Sequence, residues 1–189
     1  REALVNDATV ELGGDIELSS ILYVDDVTNL TIDGNGYTIK AADDFTTEGY
    51  ASLGLDENGA KNLVSIVDST VTFKDVTLQT NNKNRNALNT YNSEVVLAGG
   101  VTLDHAVSEK GAPLIVNRSE VTVENDINIV VGPTSWYGIN VDMGSNAEGV
   151  KQNASLTFAE SAKLTQTGVG MANVMIAATE DENITVNGT

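Results

Sequence analysis

The chain has 189 residues, 41% hydrophobic and 5% aromatic, with no cysteine and a formal net charge of −17 from 27 acidic and 10 basic side chains. This allows one domain with a sizeable core and excludes wholesale disorder, disulfides and thiol catalysis. The acidic balance excludes phosphate backbones and anionic lipid as natural partners, and no apolar run is long enough for a transmembrane helix.

Residues 1–8 read as a cap or the end of a short helix, as solenoids need at an open end. Thr9 to Leu18 then alternate apolar and polar residues around Gly13-Gly14, the period of half-buried strands with a corner between them. Ile21 to Val24 open another strand, and Asp25-Asp26 turn the chain. Asn29 to Ile39 follow with Asp33-Gly34-Asn35-Gly36, residues that tolerate positive φ at a tight corner. A polar insertion, 41–62, interrupts the rhythm. The stretch 63–78 then reads as three short strands: Val64 to Val67, Thr70 to Phe73 and Val76 to Gln79.

The central unit, Val71-Thr72-Phe73, recurs. Its counterparts are Val10-Glu11-Leu12, Leu30-Thr31-Ile32, Val95-Val96-Leu97, Val121-Thr122-Val123, Leu156-Thr157-Phe158 and Ile184-Thr185-Val186. A second strand follows at Ile16-Leu18, Tyr37-Ile39, Val76-Leu78, Val101-Leu103 and Ile127-Ile129, with a weaker one near Ala162 to Leu164. This irregular repeat predicts an all-β fold: a right-handed, single-stranded parallel β-helix of about seven rungs, with three short strands per rung and rungs about 4.8 Å apart. A β-sandwich is the rival, but it predicts neither the repeated unit nor loops that lengthen at one phase. Residues 1–189 form a single domain in this reading. The start at Arg1 and the stop at Thr189 after a strand read as a piece of a longer protein whose helix continues or is capped further on.

The run VELGGDIELSSILYVDDVTNLTIDGNGYTI, beginning at Val10, resembles the N-terminal rungs of pectate-lyase-like right-handed β-helices. It is most similar to the non-catalytic adhesive domains of that type in bacterial, mostly Gram-positive, surface proteins. The resemblance covers residues 9–39 closely and only as a repeat pattern beyond 63. It implies a secreted or cell-surface binding module that adheres to glycan or to host or matrix protein. The alternatives are a fragment of a polysaccharide lyase or glycoside hydrolase and a structural stalk. The family's enzymes cluster carboxylates for calcium or carry Gly-His-Gly and Arg-Ile-Lys motifs, and neither motif is present here.

The residues themselves point to the same kind of site. Insertions at 41–62, 80–87, 104–112, 132–137 and 166–172 share one phase, so they emerge along one edge of the rod. Another insertion, 144–153, sits at a different corner. Parity in the neighbouring strands turns Val64/Ile66, Leu88/Thr90, Leu114/Val116, Ile139/Val141 and Val174/Ile176 inward. Outward ladders then run through Ser65, Asn89, Ile115, Asn140 and Met175, and through Val67, Tyr91, Asn117, Asp142 and Ala177. The loops are expected to bring Tyr50, Asn81, Asn82, Arg85, His105, Trp136 and Tyr137 towards this face. Amides match hydroxyls as donors and acceptors, and aromatic rings stack on sugars. The candidate ligand-binding residues are therefore Asn89, Tyr91, Asn117, Trp136, Tyr137, Asn140 and Asp142.

No catalytic, cofactor-binding or metal-binding residue is assigned. The acidic pairs Asp25-Asp26, Asp43-Asp44 and Asp56-Glu57 and the run Glu180-Asp181-Glu182 leave calcium open, but none follows a calcium-loop motif. Ser69, Ser93 and Ser119 share one corner, and Thr31, Thr72, Thr122, Thr157 and Thr185 form an outward ladder. A second Thr ladder runs through Thr38, Thr77 and Thr102.

Overall fold

The computed structural model describes residues 3–108, 110–142, 153–168, 170, 172–177 and 184–187. The first rung holds β1 (Thr9–Glu11), β2 (Ile16–Leu18) and β3 (Leu22–Asp25), and the second β4 (Leu30–Asp33), β5 (Thr38–Ala41) and β6 (Asn62–Val67). The next two rungs have a long strand and a short one: β7 (Thr70–Gln79) with β8 (Asn86–Tyr91), and β9 (Glu94–His105) with β10 (Leu114–Asn117). Then come β11 (Glu120–Val123), β12 (Ile127–Val131) and β13 (Tyr137–Asp142), followed by β14 (Ala154–Phe158), β15 (Leu164–Thr167), β16 (Ala172–Ala177) and β17 (Ile184–Asn187).

Every strand pairs in parallel with its counterpart in the adjacent rung, the arrangement of a parallel β-helix. One face is the file β1-β4-β7-β9-β11-β14-β17, and the opposite wall is β3-β6-β8-β10-β13-β16. The third face, β2-β5-β12-β15, merges with the first because β7 and β9 run through their shared corner. The expected pair of strands at 70–79 is therefore one strand, with a register shift between Lys74 and Val76 and a positive φ of 45° at Asp75. A bulge bends a strand without ending its ladder, so the corner needs no break.

Side chains of like parity stack between rungs. Val24, Ile66, Thr90, Val116 and Val141 form one buried file, and Leu30, Val71, Val95, Val121 and Leu156 another. Each fully buried aliphatic contributes about 1.5–3 kcal/mol, and these side chains form one continuous column from Leu12 to Leu156. Val174 and Ile176 also follow the inward parity, yet they are exposed in the last described rungs.

Register departs from expectation only towards the ends. Val10 pairs with Ile32, Ile16 with Ile39, Ile127 with Leu164 and Val186 with Leu156, each two residues from the expected partner. A slip of two keeps each side chain on its face, so hydrophobic alternation does not oppose it. The outward Thr ladder accordingly begins Thr9, Thr31, Thr72, and Thr185 pairs with Ser155 outside it. Residues 3–8 form turns without a helix, with Leu4 packed on the core.

Where the β6, β8 and β10 wall turns into the first face, Asp68, Asn92 and Arg118 take φ of 46°, 47° and 51°. The serine after each accepts from the rung below and donates to the local backbone. Ser69 N bonds Ser93 Oγ and Ser93 N bonds Ser119 Oγ, both at 3.1 Å, while Ser93 Oγ donates to the Tyr91 carbonyl at 2.7 Å. The expected serine corner thus also ties rung to rung.

Candidate functional site

The loops between the third face and the β6–β13 wall stack on one another as the strands do. Arg85 N donates to the Lys61 carbonyl at 2.8 Å, and Asn81 Nδ2 to the Ala42 carbonyl at 2.7 Å. Trp136 N donates to the Gly111 carbonyl at 2.9 Å. His105 lies at the centre of this edge, fully buried. Its Nε2 is 2.7 Å from the Arg85 carbonyl and its Nδ1 is 2.8 Å from Ser135 Oγ. A carbonyl only accepts, so Nε2 carries the proton and Nδ1 accepts from Ser135. Burial pushes the His105 pKa below its ordinary 6.5, against the raising effects of the Arg85 carbonyl and Asp104. One neutral imidazole therefore joins the loops 80–87, 104–112 and 132–137.

These loops wall a groove of about 770 Å³ along the outer surface of β6, β8, β10 and β13. All the sequence-derived candidates, Asn89, Tyr91, Asn117, Trp136, Tyr137, Asn140 and Asp142, line it, and each is half-buried. Asn89, Ile115 and Asn140 form one file in successive rungs, with Tyr91, Asn117 and Asp142 in the parallel file. Parallel pairing keeps side chains of like phase in line, which explains why residues so distant in sequence face a common space.

Aromatic side chains stand at both margins. The Arg85 guanidinium sits 5.2 Å from the centre of the Trp136 ring, and the Trp136 and Tyr137 rings are 6.4 Å apart at 59°. Across the groove the Arg118 guanidinium lies 5.0 Å from the Tyr91 ring centre and donates to the Tyr91 hydroxyl. Each contact sets a guanidinium against the face of a ring, where the ring quadrupole attracts it. In the same groove wall an amide relay crosses rungs: Asn86 Nδ2 donates to Asn62 Oδ1 at 2.7 Å, and Asn62 Nδ2 to Ser65 Oγ at 3.0 Å. Asn117 Oδ1 is buried and accepts no hydrogen bond from the protein.

Sequence reasoning missed two parts of this groove. The insertion 41–62 folds back through short 3-10 helices at Tyr50–Leu53 and Gly59–Lys61, so that Leu55, Asp56 and Asn58 form a wall. Nothing periodic marks that segment. Tyr23 and Asp25 also extend the two outward files by one rung, opposite Ser65 and Val67. The parity of the strand Leu22–Asp25 carried that signal, and Tyr23 lines the groove. Burial, then Asp25 and Asp68, raise the Tyr23 pKa above its ordinary 10.0.

Several expected loop residues lie elsewhere. His105 is interior, because its two ring nitrogens are both used between loops. Asn81 turns back to the Ala42 carbonyl, and Tyr50 and Asn82 line other hollows. The 144–152 part of the remaining insertion and the run Glu180-Asp181-Glu182 lie outside the described residues, as does the Ala177 side chain. Among the described residues no group of His, Asp or Glu is placed to hold a metal ion, and no helix is long and apolar enough to cross a membrane. Comparison with known proteins found no matching family model, no matching curated protein and no matching solved structure.

Proposed function

We propose that this protein is a non-catalytic adhesive module of the pectate-lyase-like type, working at a bacterial cell surface or after secretion. It holds a polysaccharide, free or on a host or matrix protein, in the groove of the β6–β13 wall. The observation that carries this reading is the composition and order of the groove. Amides repeat at rung spacing between aromatic margins, an arrangement suited to a linear polymer of hydroxylated rings.

Glycan-array screening followed by calorimetry tests the assignment. Trp136→Ala should weaken binding by about 2 kcal/mol, the scale of an interface hot spot, with little change in melting. Thr72→Lys, on the first face, should leave binding intact. Loss of binding with Thr72→Lys and not with Trp136→Ala would place the site on the wrong side of the rod.

A further inference from the structure

Beside the groove, and sharing Arg85, Asn58 and Trp136 with it, lies a second hollow of about 590 Å³. Lys61, Lys83, Arg85 and Lys110 line it, four of the ten basic residues in a chain that has 27 acidic ones. No Asp or Glu is among its lining residues. In so acidic a chain this local reversal of sign runs against composition, and it arises from the stacking of the loops. Asn62 and Asn86 pair in adjacent rungs, which sets Lys61 and Arg85 one rung apart, and the next loop supplies Lys110.

Little of this positive charge is neutralised nearby. Lys61 pairs with Glu57 at 2.7 Å, an exposed contact of small worth. Lys83 Nζ donates to the Asp43 carbonyl at 2.7 Å, and the Arg85 guanidinium lies over the Trp136 ring. A carbonyl dipole and a π-face orient a cation without cancelling its charge. Among the described residues, Lys83, Arg85 and Lys110 form no ion pair. A concave surface lined by one sign of charge focuses its field and concentrates counter-ions.

We infer that this hollow is a subsite for an anionic substituent, a sulfate ester or carboxylate, of a polysaccharide whose adjoining neutral rings occupy the groove. The inference rests on the glycan reading for the nature of the polymer. The cations and the stacked ring are side by side, so one sugar can lie on Trp136 while its neighbour presents the anion to Lys83 and Lys110. Asp142 and Asp56 line the groove, which disfavours an anion there and fixes the polarity of the ligand.

The test uses three oligosaccharides of equal length in calorimetry: κ-carrageenan, with sulfate on alternate rings; hyaluronan, with carboxylate on alternate rings; and a neutral cellulose fragment. At least one acidic glycan should bind more tightly than the neutral one, with affinity falling as salt rises towards about 0.15 M. Binding of κ-carrageenan alone identifies sulfate as the group held, binding of hyaluronan alone identifies carboxylate, and binding of both shows that either anion suffices. The double variant Lys83→Glu/Lys110→Glu should weaken acidic-glycan binding by roughly tenfold or more, with unchanged melting because both side chains are exposed. It should leave neutral-glycan binding as it was. If neither acidic glycan is preferred, or the double variant binds them as wild type does, the subsite is refuted. Neutral-glycan binding lost with Trp136→Ala would still uphold the groove in that case.

Discussion

Gly111 is where the stacked loops are most tightly constrained. Its φ is +68°, and a Cβ added there would lie 2.0 Å from the Arg85 carbonyl oxygen and 2.7 Å from Asn86 Oδ1. Neither atom can retreat cheaply: His105 Nε2 holds the carbonyl at 2.7 Å, and the Ala112 N–H holds Asn86 Oδ1 at 2.9 Å. Gly111→Ala therefore combines left-handed strain of about 1–2 kcal/mol with overpacking of about 1–3 kcal/mol. The expected destabilisation is about 2–5 kcal/mol. At about 2–4 °C per kcal/mol for a chain of this size, the melting temperature should fall by about 4–20 °C. Gly36→Ala is the control, because φ there is +82° but nothing lies within 4 Å of an added Cβ. It should show the conformational term alone. Thermal and urea unfolding by circular dichroism give both values. Trp136 is the single tryptophan and its N–H bonds to the Gly111 carbonyl, so its fluorescence reports the same site locally. If Gly111→Ala is no more destabilising than Gly36→Ala and leaves the Trp136 emission unchanged, the loops are not packed in this way.

Further tests address the core, the charges and the chemistry. Ile66→Asp places an unpaired carboxylate between Val24 and Thr90 in the buried file and should prevent folding, read as loss of the strand signal in circular dichroism. Because burial holds the folded His105 pKa below 6.5, the unfolded chain takes the proton first. Its contribution is complete above about pH 6.5 and is lost as pH falls from there towards the folded value, so stability should decline over that range in wild type but not in His105→Gln. Asp33 acts in a lower window. The hydrogen bond from Lys74, then that from the Asn35 N–H, holds its pKa below 3.8, so its contribution is present above that value and disappears as pH falls through the folded one; Lys74→Met should reduce only this second decline. Incubation with pectin, alginate or related uronans, with or without calcium, should release no unsaturated or reducing ends, and turnover that vanishes in Asp142→Ala would overturn the adhesive reading.

The outward files of the groove are legible in the sequence because strand parity is a local property. Val64, Leu88, Leu114 and Ile139 have to face inward, which leaves Asn89, Tyr91, Asn117, Asn140 and Asp142 no other side. The same logic is blind to displacement by two residues, and that is how Val10 and Val186 acquired different partners from those expected. Only the hydrogen-bonded ladder distinguishes registers of equal parity. Likewise, Phe73-Lys74-Asp75-Val76 reads as a corner in either case, and backbone pairing with β9 decided that the strand continues through it.

His105 shows the limit most clearly. As the one histidine of a polar loop it reads as a surface group, yet neighbouring loops supply a donor and an acceptor that its own segment lacks. The wall from 54–59 and the convergence of Lys61, Lys83, Arg85 and Lys110 have the same origin. Alternation and recurrence, carried within a few residues, determined the fold, the inward faces and the phase of the loops. What the loops enclose was decided by tertiary structure, because irregular segments have no period and their hydrogen bonds are completed by residues a full rung away.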